Sequence, residues 1–103
     1  NDQFFRFVDE CRRQGVTAPI IPGLKILRTK RQLTSIPKFF HCDIPPALTD
    51  EVSAAAPDRV GDVGVAWAIE QGQALLADGV PSLHFYVMSS ATAVNQVLDG
   101  LDL

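Results

Sequence analysis

Cysteine is scarce in this sequence, which has only Cys11 and Cys42 among 103 residues, far apart and outside any CxxC pattern. This spacing argues against a disulfide framework or a zinc site and predicts two buried free thiols. Long apolar runs are also missing: none approaches the ~18 residues of a membrane span, and no signal-peptide pattern opens the chain. We therefore expect a cytoplasmic protein with no membrane partner.

Positive charge is not in excess, since nine Lys and Arg face twelve Asp and Glu and leave a formal net charge of -3. A protein dedicated to nucleic acid usually carries a basic surplus, so we expect no nucleic-acid partner. Glycine-rich phosphate loops, GxSxG elbows and HExxH motifs are absent from the sequence. The hydrophobic fraction of 47% and the length of 103 residues are typical of one soluble globular domain.

Two short apolar segments are predicted to be β-strands. Residues 18–24 contain the adjacent β-branched Ile20 and Ile21 between prolines, a pattern typical of a parallel strand covered on both faces. Residues 83–88, LHFYVM, form the second segment. The remaining chain is mostly helical in its pattern, so the sequence predicts an α/β fold in which two parallel strands are covered by helices.

Apolar periodicity and Gly/Pro stops predict five helices. Four of them cover residues 1–14, 49–56, 58–78 and 91–98. A short helix is expected between Thr29 and Pro37, with the proline ending it and residues 38–46 extended. The helix over 58–78 contains three glycines, each costing up to ~1 kcal/mol against alanine. We therefore expect close packing to compensate at Gly61, Gly64 and Gly72.

The densest group of charges directly follows the first predicted strand. Lys25, Arg28, Lys30 and Arg31 place four cations within seven positions. Ligand sites in parallel α/β sheets collect at the carboxyl ends of strands. The segment is therefore a candidate binding loop, and an ordinary solvated loop is the alternative.

Other reactive side chains are predicted to have structural roles. His84 precedes Phe85 on a strand and is expected to be packed and hydrogen-bonded. His41, Cys42 and Asp43 are adjacent in an extended segment, so they point to opposite faces and should not converge on one atom. No metal site is predicted. The remaining notable side chains are expected to lie in the core, Trp67 and Met88, or in solvent, Glu70.

Four segments, in this order and spacing, resemble the carboxyl-terminal part of methylenetetrahydrofolate reductases. They are FFRFVDECR at 4–12, PIIPG at 19–23, TKRQL at 29–33, and GVP with LHFY within 79–86. The resemblance covers nearly the whole chain and implies a (β/α)8 TIM barrel, a fold of about 250 residues and eight strands. Residues 1–103 would then be a single incomplete domain: the last two β/α units and the preceding helix, a carboxyl-terminal fragment of the barrel.

The resemblance also implies an activity. In the family, NAD(P)H reduces FAD, which passes hydride to 5,10-methylenetetrahydrofolate and yields 5-methyltetrahydrofolate for methionine synthesis. The catalytic glutamate and nearly all flavin contacts would belong to earlier strands, so this chain is expected to hold no catalytic or cofactor-binding residue and to be inactive alone. A homo-oligomer, or association with the rest of the barrel, is expected.

The implied substrate contacts are few. Tyr86 matches a tyrosine that lines the folate site in relatives, and Lys25, Arg28 and Lys30 would supply cation contacts to the glutamate tail. Two positions depart from the family pattern: several relatives have an aromatic residue at Lys30, and many have an arginine at Ser90. Apart from the resemblance, a small non-catalytic α/β interaction module is the alternative, with bare strand edges that invite pairing with another chain.

Overall fold

The computed structural model describes all residues from Asn1 to Leu103, as five helices and a two-stranded parallel sheet. The helices are α1 (Asp2–Arg13), α2 (Gln32–Phe40), α3 (Pro46–Ala54), α4 (Val60–Ala77) and α5 (Thr92–Leu101), and the strands are β1 (Gly23–Leu24) and β2 (His84–Phe85). None of the five helices combines the length and apolarity that crossing a membrane requires. The predicted α/β class, element order and parallel pairing are confirmed.

Both strands are much shorter than predicted, and Ile20 and Ile21 lie before β1 rather than in it. Ile21 is 50% exposed, so the expectation of a strand covered on both faces is wrong. The backbone explains the difference. Amides of β2 and of the next residue donate to the carbonyls of Pro22 and Leu24, both at 3.0 Å, and residues 18–21 have no partner strand to pair with.

The sheet has one face covered by helices and one exposed face. Leu24 and Ile26 are 5% and 6% exposed, and Phe85 packs against the same core cluster as Ile26. Because side chains alternate across a strand, the neighbouring positions point to the opposite face. The residues of this exposed face are Gly23, Lys25, His84 and Tyr86.

The two core clusters meet at the segment that leaves β1. One cluster joins Ile26 to buried residues of α4 and α5, and the other joins Leu27 to Val52 of α3 and Val60 of α4. Adjacent residues of one short segment are thus anchored in different clusters. This anchoring fixes the start of the basic loop relative to three helices.

Gly64 is buried in α4 at a very close backbone approach. A Cβ there would overlap the carbonyl oxygen of Leu27 and lie 2.8 Å from its carbonyl carbon. At Gly72 a Cβ would lie 3.0 Å from a methyl carbon of Leu101. The close packing predicted from these glycines is confirmed at both positions, but at Gly61 nothing lies within 4 Å and the prediction is wrong.

α2 does not stop at Pro37 as predicted. It continues to Phe40 and ends at His41, whose φ of 50° is left-handed. A proline has no amide donor but keeps its carbonyl acceptor, and the last turn is closed by the amide of His41, which donates to the carbonyl of Pro37 at 3.0 Å. The predicted extended segment 38–46 is therefore wrong at its two ends, which belong to α2 and α3.

α1 forms as predicted, but none of its twelve residues is buried. Phe7, within the apolar stripe of the helix, is 58% exposed. A side-chain link to α4 comes from Asn1, whose amide nitrogen donates to the carbonyl of Gln71 at 3.0 Å. The apolar stripe of α1 is thus only partly covered in this chain.

Candidate functional site

The carboxyl ends of β1 and β2 lie side by side, and the segments leaving them enclose a small cavity of about 160 Å³. Lys25 and Arg28 come from the segment after β1, while Tyr86 and Ser90 come from the segment after β2. Three of the predicted substrate contacts, Lys25, Arg28 and Tyr86, are therefore brought together. The cavity lining contains no Asp or Glu, so its charge is positive.

The ring of Tyr86 lies back across β1, over Gly23. A Cβ on Gly23 would lie 2.5 Å from Cε2 and 2.7 Å from the hydroxyl oxygen of Tyr86. The ring also meets the imidazole of His84 edge-on, with centroids 4.6 Å apart and planes at 74°. Since Tyr86 is 54% exposed, its ring lies on the surface of the exposed sheet face and not in the core.

A larger cavity of about 560 Å³ adjoins the small one. Its apolar lining comes mainly from the segment after β1, from α2, from the loop between α2 and α3, and from the start of α3. These elements contribute the side chains of Leu27, Ile36, Phe40, Ile44 and Leu48. Tyr86, Lys25 and Met88 line both cavities. Tyr86 thus stands at the boundary between a small cationic cavity and a larger apolar one.

A third depression, of about 880 Å³, lies between the amino end of α1 and the 42–46 loop. It borders Gly23 and Leu24 but none of the three predicted substrate contacts that meet at the strand ends. The depression is open and lined mostly by non-hydrophobic residues. The candidate site is therefore at the strand ends.

Gln32 holds the basic loop to the start of α2. Its Oε1 accepts hydrogen bonds from the amides of Arg28 at 2.6 Å and Thr29 at 3.1 Å. Gln32 is not among the site residues predicted from the sequence. The signal was present, because Thr29 followed three residues later by Gln32 has the spacing of a capping box, in which the glutamine reaches back to the first amide.

Lys30 is separated from the other predicted contacts. Its Nζ donates to the carbonyl of Ser53 in α3 at 3.0 Å, and it lines neither cavity at the strand ends. Arg31 precedes α2 and is exposed. Of the four cations in the loop, only Lys25 and Arg28 reach the small cavity.

Ser90 forms hydrogen bonds with Thr92, the first residue of α5. Its hydroxyl oxygen lies 3.1 Å from the hydroxyl of Thr92 and accepts a hydrogen bond from the Thr92 amide at 3.3 Å. Serine is a favourable residue at this kind of helix start because it satisfies a free amide. In this chain Ser90 thus satisfies the amide of the first residue of α5.

Histidine and cysteine side chains are more exposed than predicted. His84 is exposed and forms no side-chain hydrogen bond, so the expectation of a hydrogen-bonded histidine is wrong, although it does pack on Tyr86. Both cysteines are free, and Cys42 is exposed rather than buried. No three His, Cys, Asp or Glu side chains come together to hold a metal ion.

The two predicted core side chains also differ from expectation. Met88 is 86% exposed, so its placement in the core is wrong. Trp67 is half-buried, and its indole nitrogen donates to the carboxylate of Glu51, linking α4 to α3. Glu70 is exposed, as expected.

A family model described as methylenetetrahydrofolate reductase matches residues 1–102. The chain belongs to the methylenetetrahydrofolate reductase family. Its relatives include the "Probable methylenetetrahydrofolate reductase (NADPH)" of Caenorhabditis elegans, 31% identical over 105 residues, and the "Methylenetetrahydrofolate reductase (NADH) 1" of Arabidopsis thaliana, 30% identical over 107 residues. A bacterial relative, the "5,10-methylenetetrahydrofolate reductase" of Buchnera aphidicola, is 29% identical over 98 residues. The resemblance seen in the sequence motifs is confirmed.

The chain corresponds to only part of each of these methylenetetrahydrofolate reductases. The worm and plant alignments take in 99% of this chain but 16% and 18% of the relatives' lengths. The bacterial alignment takes in 87% of this chain and 31% of that protein. The side chains at the strand ends of this chain suit an anionic ligand that has an aromatic or apolar body.

Proposed function

We propose that the chain forms part of a flavin-dependent methylenetetrahydrofolate reductase, which reduces 5,10-methylenetetrahydrofolate to 5-methyltetrahydrofolate with NAD(P)H. Its contribution is one wall of the folate site. The observation that carries this proposal is the position of Tyr86, between a small cavity lined by Lys25 and Arg28 and a larger apolar cavity. Family membership and the relatives' printed names supply the reaction class.

The chemistry of a folate suits the two cavities. Its ring systems are flat and aromatic, and they would lie against the exposed ring of Tyr86. Its glutamate carboxylates would reach Lys25 and Arg28, since cations and carboxylates form the stronger class of hydrogen bonds. Lys30 is proposed as a weaker contributor because its ammonium group already donates to the carbonyl of Ser53.

We also propose that residues 1–103 are the last two β/α units of a (β/α)8 barrel with the helix that precedes them. The sheet has only two strands, so its outer edges carry unpaired backbone groups. Only 13 of 103 residues are buried, and α1 has no buried residue. These features support a partial barrel more than a self-sufficient interaction module, which would need its own covered core.

FAD is the cofactor that family membership suggests, and the residues of this chain do not suffice to hold it. The sequence has no glycine-rich phosphate loop, and the exposed sheet face presents two short strands rather than an enclosing wall. We propose that the flavin and the proton-donating acid are held by the rest of the enzyme. The 103-residue chain expressed alone should then purify without a yellow chromophore and without reductase activity.

The test of the proposal is substitution of Tyr86 in the longer enzyme that contains this chain. Tyr86→Ala should raise KM for methylenetetrahydrofolate about tenfold, or ~1.4 kcal/mol, since an aromatic contact is lost. Tyr86→Phe keeps the ring and should stay near the wild-type KM. Glu70→Gln, on the exposed side of α4, is the matched control. An unchanged KM in Tyr86→Ala would contradict the assignment of this wall to folate.

A further inference from the structure

The contact between Gly23 and Tyr86 involves only the far end of the tyrosine ring. The atoms that a Cβ on Gly23 would meet are Cε2, the hydroxyl oxygen and Cζ, at 2.5, 2.7 and 2.9 Å. These distances are shorter than any real Cβ contact, so any side chain at this position requires the ring to move. Because Tyr86 is 54% exposed, the ring can move without displacing the backbone.

Backbone conformation does not explain the glycine at position 23. The glycines with positive φ are Gly15 and Gly79, so Gly23 has a conformation that other residues can adopt. Its pairing with His84 in the parallel ladder is also open to any residue except proline. The remaining reason for a glycine at this position is that the ring of Tyr86 occupies the space where a side chain would lie.

We propose that Gly23 is a positioning residue that sets the place of the Tyr86 ring and thereby the partition between the two cavities. The ring of Tyr86 can lie close to β1 because Gly23 has no side chain. Its centroid lies 4.6 Å from that of the His84 imidazole. A side chain at position 23 lifts the ring into one of the cavities that it borders. The consequence for substrate binding rests on the proposed function, whereas the contact itself does not.

The size of the cavities makes the ring position matter. The small cavity has about 160 Å³ against about 560 Å³ for the larger one, so a ring displaced into it removes the larger share of its space. Movement toward the larger cavity instead places the ring where the flat part of a ligand would lie. In both cases binding is weakened, while the covered face of the sheet and the helical core are untouched.

The experiment compares Gly23→Ala with Gly61→Ala in the longer enzyme that contains this chain. Both variants add one methyl group, but at Gly61 nothing lies within 4 Å. Gly23→Ala should raise KM for methylenetetrahydrofolate about tenfold with kcat within about twofold of wild type, since small misplacements of a positioning group weaken binding. Gly61→Ala should leave KM unchanged. In the 103-residue chain, where the Tyr86 ring is exposed, the thermal midpoint of Gly23→Ala should stay within about 2 °C of wild type, because only this ring has to move.

A second pair of variants tests whether the effect acts through the ring. In a Tyr86→Ala background, adding Gly23→Ala should change KM by less than about twofold, since the group that it displaces is gone. A crystal structure of Gly23→Ala should show the Tyr86 ring lifted from β1. An unmoved ring, an unchanged KM, or the same KM increase with and without Tyr86 would each overturn the proposal. If the wild-type enzyme has no reductase activity, the proposed function is wrong. The crystal structure of Gly23→Ala then still tests whether a side chain at position 23 displaces the Tyr86 ring.

Discussion

The Cα of Gly64 in α4 faces the carbonyl group of Leu27 so closely that no methyl group fits between them. Leu27 belongs to the segment that leaves β1, and its side chain is buried against Val52 and Val60. The helix and this segment are therefore in contact through backbone as well as side chains. The contact fixes where the basic loop starts.

Replacing Gly64 with alanine should destabilise the fold strongly. The new Cβ meets a backbone carbonyl that cannot move without shifting β1 or α4, so we expect a loss of about 1–3 kcal/mol or more in the free energy of unfolding. Gly61→Ala adds the same group in open space and should gain up to ~1 kcal/mol from helix propensity. Urea denaturation measures both. Equal effects of the two variants would contradict the close approach at Gly64.

Burial separates two apolar side chains of similar size. Leu75 is 1% exposed in α4, and Phe7 is 58% exposed in α1. Leu75→Ala should lower the free energy of unfolding of the 103-residue chain by about 2–5 kcal/mol through lost burial and a cavity. Phe7→Ala should change it by less than about 0.5 kcal/mol.

The same Phe7→Ala substitution should cost more in the longer enzyme, where we propose that additional barrel elements cover α1. Guanidinium denaturation of both proteins measures this difference. A large effect of Phe7→Ala in the short chain, comparable with that of Leu75→Ala, would show that α1 is packed differently from the structure described above.

Lys25 and Lys30 should have separable roles. Lys25 lines both cavities, whereas the Nζ of Lys30 donates to the carbonyl of Ser53. Lys25→Ala should raise KM for methylenetetrahydrofolate about fivefold to tenfold, through loss of a charge-assisted hydrogen bond, and the increase should shrink at high salt. Lys30→Ala should leave KM within about twofold. Steady-state kinetics at two ionic strengths measures both. A larger increase in KM for Lys30→Ala than for Lys25→Ala would contradict the proposed site.

Gln32 should control the order of the loop between β1 and α2. Its Oε1 accepts hydrogen bonds from the amides of Arg28 and Thr29, so Gln32→Ala should speed hydrogen exchange at these two amides. Gln32→Glu replaces the amide oxygen with a carboxylate oxygen, which also accepts, and should preserve their protection. Hydrogen exchange followed by NMR measures the difference. Equal exchange rates in wild type and Gln32→Ala would show that the glutamine does not hold the loop.

The order of elements could be predicted from the sequence because it depends on local signals. Apolar periodicity, capping residues and Gly/Pro stops located the five helices, and the stop signals before and after residues 83–88 located β2. Parallel pairing followed from the α/β order and is confirmed by Gly23 opposite His84. The meeting of Lys25 and Tyr86 could also be expected, since both follow strand ends that lie side by side.

The predictions that were wrong concern features that depend on contacts with residues distant in the sequence. Ile20 and Ile21 have the pattern of a covered strand, but strand pairing needs a neighbour at that level and this chain supplies none. Met88 has an apolar side chain of the kind found in cores, but it lies 86% exposed in the segment after β2. The separation of Lys30 from Lys25 could not be predicted either, because it depends on the distant carbonyl of Ser53.

Successive side chains along β1 and β2 point to opposite faces of the sheet, so neighbouring positions should differ in the effect of substitution. Substitutions at 24, 26 and 85 alter the helix-covered side and should appear as loss of folded protein. Substitutions at 23, 25, 84 and 86 alter the opposite side and should yield soluble protein with altered ligand affinity. A deep mutational scan of the longer enzyme that reports abundance and catalysis separately should therefore show effects that alternate from one position to the next along each segment. Positions that lower abundance should alternate with positions that lower catalysis alone.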